Sequence, residues 1–493
     1  LLKDEFGASP ADSKELFNYP IKQHFDNLRD DCYLLAETHY VDKVFRDSYY
    51  HYYSSKHAGY RRDCIRISIF QGEINESDFR SKSTKEKLQD QYRGFIILRP
   101  TEPYLIGRSI ISPKALKQDK FIICSTKSES TCNGVKLKLE GFPHSSQDTE
   151  TISCAETTLW SIMEYFGSKY SDYRPALPSK IISTLDRVSY ERQIPSKGLN
   201  VSQISYALKE FGFGTKIYSR EQYGNDFESI LSCYVESGIP VITAVDNFRQ
   251  KGQIGHAIIC IGHELVEPDH IDKIGYKNFA AIAANEKIIQ TIFSRGITIY
   301  DYDELKKKFV FIDDNCPAYQ KAELSRPCAH YNNTEWGKCE ITYFIVPLYK
   351  RIYLEAYEAK NFLMNFLLLG PYPLPGNQEV LIRFFLTSSR SFKDQLTENP
   401  SFSIDIKEKL LATPLPKFVW IAELSTRALM KQKKANGVIL LDATEANIDM
   451  NKPLVFAAYG GHVVEPEKGT GELLQKPIPL AEFLIYENNL INT

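Results

Sequence analysis

The sequence has no excess of charge of either sign. Lys plus Arg number 60 and Asp plus Glu 62, a net charge of -2. That balance supplies no basic stripe for nucleic acid or an anionic membrane, so neither is expected as a partner. Long apolar runs are missing too. The longest stretch, FLMNFLLLG at Phe362 to Gly370, falls well short of the ~20 residues that span a bilayer. No basic n-region, apolar core and cleavage site follow the opening LLKDEFGASP, and a cytoplasmic protein is expected. A disulfide framework is absent. The ten Cys (32, 64, 124, 132, 154, 233, 260, 316, 328 and 339) are scattered, and several sit inside apolar runs, such as Cys124 in FIIC and Cys260 in AIICIG. They read as small buried hydrophobes in a reducing compartment. Internal repeats and low-complexity tracts are lacking. GTGE at Gly469 has no strand–helix context for a phosphate loop. Cys316, Cys328, His330 and Cys339 are zinc ligand types, but C-x11-C-x-H-x8-C lacks a short C-x2-4-C clip, so no metal and no cofactor is expected.

What is present suits a globular chain of several parts. At ~100–200 residues per domain, 493 residues make two to four. With 43% hydrophobic residues, a core forms without metal or disulfide staples, and the 30 Tyr and 28 Phe fill cores and interfaces. Residues 1 to about 62 are polar, Tyr-rich and read as helical. CIRISIF (64–70) and RGFIILRP (93–100) read as strands. GVKLKLE (134–140) alternates apolar and charged residues as a half-buried strand does. Residues 1–140 thus form an N-terminal α/β region without a chemical motif. Residues 141–350 alternate helix and strand patterns and carry the chemistry. PYPLPG at Pro371 to Gly376 is a breaker. The stretch 351–493 is a C-terminal α/β domain, entered by a helix at about 351–369, with EVLIRFFLTS, FVWIAEL, GVILLDAT and LVFAAYG as strands and a polar loop from Glu465.

The central segment is ETISCAETTLWSIMEYFG, Glu150 to Gly167. Leu159, Ile162, Met163 and Phe166 make one apolar helix face, and Gly167 supplies a stop. Ser153-x-x-Glu156 is a capping box, which puts Cys154 at the first helical position. Free amides and the positive dipole end there favour a thiolate, the nucleophilic form. Further on, ESGIPVITAV is a helix end at Gly238 followed by a buried strand. GHAIICIGH, Gly255 to His263, is a strand with His256 at its mouth, where an imidazole can face a helix start. His263, past the apolar run, reads as a surface or loop group. KKFVFIDDNCPAY, Lys307 to Tyr319, is a short strand ending in acids. Asp313 can orient His256, with Asp314 and Asn315 as competitors. An oxyanion donor is expected just before the cysteine, from the side-chain amide of Gln147, with the Cys154 backbone N–H as the second.

Together these segments resemble the papain-like cysteine peptidase superfamily, in particular the bacteriocin-processing (C39-like) peptidases. The order is Gln, Cys on a helix, Gly-His on a strand, then Asp after a strand. GLNVSQISYALKEFGFG (198–214) matches as the second helix and SGIPVITAV as the strand before the histidine strand. The likeness covers residues 145–320, about a third of the chain. It implies an α+β papain-like core flanked by the N-terminal and C-terminal α/β regions. It also implies Cys154 as nucleophile, His256 as base, Asp313 as orienter and Gln147 as oxyanion residue. Two departures stand out. Gln147 lies seven residues before Cys154, where six is typical, and Asp148 occupies that place. Asp313 lies 57 residues after His256, so an insert, Glu264 to Lys308, must leave the fold and return. Asp269 or Asp272 are alternative orienters. The activity implied is hydrolysis of a peptide or isopeptide bond in a protein or peptide substrate, with a regulatory protein partner by analogy with large bacterial defence or stress proteases. Transglutaminases and arylamine acetyltransferases use the same order of residues, so an acyl transferase is one alternative. A non-catalytic binding module is the other.

Overall fold

Alternation along the chain builds the first of three large sheets. In Val135–His144, Leu137 and Leu139 are buried while Lys136 and Lys138 face water. That strand joins an antiparallel sheet of six, in the order Cys32–Tyr40, Cys64–Gln71, Tyr92–Leu98, Ile106–Ile111, Val135–His144 and Thr126–Cys132. The computed structural model describes residues 1–57, 59–101, 105–118, 120–189, 191–276, 290, 298–332, 334–369, 379–467 and 472–492. The breaker at Pro371 to Gly376 and most of GTGE lie outside these residues. The first 62 residues are not all helical, since Cys32–Tyr40 is an edge strand pairing with Cys64–Gln71. Most of its residues are only partly covered, so its sequence carries little of the alternation that marks a strand with one buried face.

The second sheet runs Gln320–Ala322, Phe309–Ile312, Gly255–Glu264, Val241–Asp246, Glu340–Tyr349 and Phe213–Ser219, all antiparallel, with Phe121–Ile123 also pairing on Gly255–Glu264. Gly262 permits that second pairing, because a Cβ there would stand 2.0 Å from the Ile122 carbonyl oxygen. The third sheet runs Thr298–Asp301, Glu379–Ser388, Phe418–Ser425, Gly437–Asp442, Leu454–Tyr459, His462–Pro466 and Leu473–Lys476. The sheets interleave along the chain. Phe121–Ile123 serves the second sheet, and Thr298–Asp301 lies parallel to Glu379–Ser388 in the third.

Helices fill the space between the sheets. Leu159, Trp160, Ile162 and Met163 of helix Cys154–Lys169 share one core with Ile96 and Phe142 of the first sheet and Ile259, Val310 and Ile345 of the second. Gly167 does not end this helix, which runs on to Lys169. Its role is close approach, for a Cβ there would meet Pro175 at 2.4 Å. Helices Phe227–Glu236 and Ala356–Leu369 pack between the second and third sheets, with Leu231, Leu363, Phe344, Phe384 and Trp420 in one core. The apolar run at Phe362 is thus a core helix. Among the described residues, no helix is long and apolar enough to cross a membrane.

A buried ion network ties the second sheet's helix to the third sheet. Arg383 donates to Glu236 Oε1 at 2.7 Å and to Glu423 Oε2 at 2.7 Å. His263 belongs to this network and not to the surface. Its side chain is 1% exposed and its Nε2 lies 2.8 Å from Glu236 Oε2. Removing one member of a buried charge network strands the others. Arg383→Ala should therefore cost on the order of 3–5 kcal/mol, read as a lower urea midpoint. An unchanged midpoint would mean that the network contributes nothing to joining the sheets.

Candidate active site

The helix that carries Cys154 is fixed at its first turn. Ser153 is the N-cap. The Glu156 carboxylate reaches back to the Ser153 N–H at 3.2 Å and to its hydroxyl, and it also accepts from Ser196 Oγ at 2.7 Å. Amides of a first helical turn have no intrahelical acceptor, so they point toward whatever lies at the helix mouth. The loop before the cap is organised by Asp148. Its Oδ1 accepts from the backbone of Glu150, Thr151 and Ile152 at 3.0, 2.7 and 2.9 Å. Asp148, at the spacing usual for an oxyanion residue, is therefore a turn former. Cys154 is half-buried. Cys32 and Cys316 share that status, and the other seven cysteines are buried.

His256 stands at the mouth of its strand, 6% exposed. Thr158, one turn after Cys154, donates to the Ala257 carbonyl at 3.3 Å and so ties the helix to the histidine strand. The imidazole Nε2 lies 2.9 Å from Asp313 Oδ1 and 3.4 Å from Asp314 Oδ1, and the Cys154 thiol is near enough to the ring to help raise its pKa. With Nε2 taken by Asp313, Nδ1 is the nitrogen left to serve the sulfur. The Trp336 ring meets the imidazole edge-on, centroids 5.2 Å apart.

Asp313 follows strand Phe309–Ile312 and is fully buried. Four donors satisfy it. Oδ1 accepts from His256 Nε2 at 2.9 Å and the Asn315 N–H at 3.0 Å, and Oδ2 from His330 Nε2 at 3.0 Å and the Tyr331 hydroxyl at 2.9 Å. His144 holds the same turn from the first sheet, its Nε2 lying 3.2 Å from the Asp313 carbonyl and 3.0 Å from that of Cys316. The long separation of His256 and Asp313 has a simple geometry. Glu264 and Lys308 bond each other twice, N–H to carbonyl at 2.9 Å and N–H to carboxylate at 2.8 Å, so the insert leaves and returns through a clipped neck. Asp272 pairs with Lys431 and Asp269 is exposed, so neither orients the imidazole.

The structure thus brings Cys154, His256 and Asp313 together. Gln147 reaches the Asp313 turn, with its side-chain amide donating to Asn315 Oδ1 at 2.9 Å and its backbone carbonyl accepting from Arg99 at 3.1 Å. One amide proton remains for another acceptor. Sequence reasoning missed Tyr331 and Trp336 and gave His330 no part in the site. Their only signal is the density of ring side chains in CAHYNNTEWGKC.

Charge follows geometry. Burial pulls the His256 pKa down, but the Asp313 charge and hydrogen bond, the Cys154 contact and Asp314 together hold it well above 6.5. Burial pushes Asp313 up, and His256 with His330 overcomes this, holding it far below the usual range. Burial pushes Asp314 up to about 7, with Asp313 adding to the rise and His256 opposing it, and among the described residues neither of its carboxyl oxygens has a hydrogen-bond partner. An NMR titration of His256 should accordingly give a midpoint well above 6.5, falling in Asp313→Asn as burial takes over. An unmoved midpoint in that variant would contradict the pairing. Asp314 behaves in the opposite sense to Asp313. Its folded pKa is raised, so its contribution to stability is complete below about 3.8 and is lost as pH rises through about 7. Unfolding free energy should fall across that window with a slope approaching that of one proton, and Asp314→Asn should flatten the fall. Parallel pH–stability curves for the two proteins would show that Asp314 holds no proton at neutral pH.

No family model matches the chain, and no curated protein matches it.

Proposed function

We propose that this chain is a cysteine hydrolase with a papain-like core, cleaving a peptide or isopeptide bond of a protein or peptide substrate. The observation that carries this reading is an imidazole bonded through Nε2 to a buried carboxylate, on a strand tied by Thr158 to the first turns of the helix that Cys154 opens. The cysteine helix packed against an antiparallel sheet that carries the histidine supports the papain-like assignment.

The chemistry follows from that arrangement. The proton given up by the Cys154 sulfur resides on His256 Nδ1 as part of the imidazolium, and the sulfur attacks the carbonyl carbon of the scissile bond. Negative charge develops on the carbonyl oxygen. The Cys154 N–H and the remaining Gln147 amide proton are the donors available to meet it. The imidazolium then protonates the leaving amine, and the acyl group stays on sulfur as a thioester. Water, deprotonated by the imidazole, attacks the thioester and releases the acid. Asp313 keeps the ring oriented throughout and takes no proton itself. All ten cysteines are free thiols, which fits work in a reducing compartment.

The test is a comparison of new peptide N-termini released by the wild-type chain and its variants. Cys154→Ala should abolish release at a stability cost on the order of 1 kcal/mol. His256→Ala should be nearly as severe, and the double variant no worse than either, because nucleophile and base act as one unit. Asp313→Asn should be milder. Asparagine is the better probe there, since alanine would strand four donors. Undiminished release by Cys154→Ala would end the hydrolase reading. Product joined to an added amine, with no free acid, would make the chain an acyl transferase.

A further inference from the structure

Cys316, Cys328, His330 and Cys339 do not act as one set. Cys328 and Cys339 are buried, and their titrations act on each other. Cys316 and His330 instead come together with Asp313, and one ligand atom from each of these three lies within 4.8 Å of the other two. Zinc at its usual ~2.0–2.3 Å bond lengths sets its ligand atoms roughly 3–4 Å apart, so closing the group asks separations to shorten by at most about 1–2 Å. A second observation points the same way. His330 faces Asp313 Oδ2 through Nε2 at 3.0 Å, and its Nδ1, across the ring, is buried and has no partner among the described residues, on a side chain only 10% exposed, so Nδ1 is available to carry the ring proton when a metal takes Nε2.

We infer that Asp313, Cys316 and His330 form a binding site for a divalent transition-metal ion of the zinc class, placed directly behind the catalytic histidine. Thiolate, imidazole and carboxylate are the three ligand types zinc takes, and a water would complete a tetrahedral shell. His256, Asp313 and Asp314 also lie within reach of one another, but that group is fully buried, has no sulfur and uses a ring already bonded to Asp313. Cys316 and His330 are only partly buried. Burial holds the Cys316 thiol protonated without a metal, and a bound cation would displace that proton to solvent. Entry of the ion exchanges the His330 and Tyr331 hydrogen bonds to Asp313 for coordination. The ion would then compete with His256 for the charge of Asp313. On the hydrolase reading, occupancy weakens the imidazolium and lowers activity, a reversible brake on the same site.

The test uses the full chain carrying Cys154→Ala, so that the catalytic thiol cannot be a ligand, and Co2+ and Zn2+ as probes. Titration with Co2+ should produce a thiolate-to-cobalt charge-transfer band saturating at one equivalent. Cys316→Ser in that background should abolish the band. His330→Ala should weaken Zn2+ binding, measured by competition with a chromophoric chelator, by about tenfold or more. In the chain with Cys154 intact, Zn2+ should inhibit release of new N-termini, a chelator should restore it, and Cys316→Ser should keep its metal-free activity while losing the inhibition. Absence of the band in the Cys154→Ala chain, or a band that survives Cys316→Ser, overturns the site. The spectrum does not depend on peptidase activity. A chain that binds cobalt as described but cleaves nothing would sink the hydrolase reading and leave the metal site standing.

Discussion

The buried carboxylate of Asp313 is the constraint on which the rest of the site depends. A charge removed from water is costly unless paired and fully hydrogen-bonded. Asp313 meets that demand with donors from two other segments and its own turn. The histidine strand contributes His256, the turn contributes the Asn315 N–H, and the stretch between Cys328 and Cys339 contributes His330 and Tyr331. Each donor holds the carboxylate ionised, and the ionised carboxylate holds each donor in place. His256 is therefore fixed in ring orientation and charged well past the usual histidine range. The turn itself is anchored from the first sheet, through His144 and through the Tyr319 hydroxyl, which donates to the Ile111 carbonyl at 2.6 Å and accepts from the Phe142 N–H at 3.0 Å.

The layers explain how a sulfur can be held against that imidazole. Helix Cys154–Lys169 is packed between the first and second sheets, with Leu159, Trp160, Ile162 and Met163 almost fully buried. Such a helix cannot slide, because close-packed interiors tolerate little displacement. Its N-terminus opens beside the mouth of the histidine strand, and the Thr158 bond to Ala257 links the two. Proton transfer needs contact distance, and both partners are held by core packing instead of by mobile loops.

The parts of this arrangement written in local sequence were legible. The capping box fixes where the Cys154 helix begins, the apolar run after His256 fixes its strand, and the apolar run ending in Asp313 fixes the turn. What local sequence hides is what the chain does at a distance. The insert after Glu264 conceals that Lys308 returns to the same neck, and that Thr298–Asp301 pairs in another sheet. His263 looked like a surface residue because its partner Glu236 lies on a helix 27 residues away. Gly167 looked like a helix stop, since nothing near it in sequence announces the contact with Pro175. Cys32–Tyr40 escaped because an edge strand with little burial shows weak alternation. His330, Tyr331 and Trp336 became part of the site only once the chain had folded them onto Asp313 and His256.

The coupling of Cys154 to His256 is measured most directly by the rate at which iodoacetamide labels each of the ten thiols between pH 6 and pH 8, followed by peptide mass spectrometry in the wild-type chain and in His256→Ala. Cys154 should be the first thiol modified throughout that range, and loss of the imidazole should remove its advantage. Labelling of another cysteine first, or a Cys154 rate indifferent to His256→Ala, would contradict the thiol–imidazole pair.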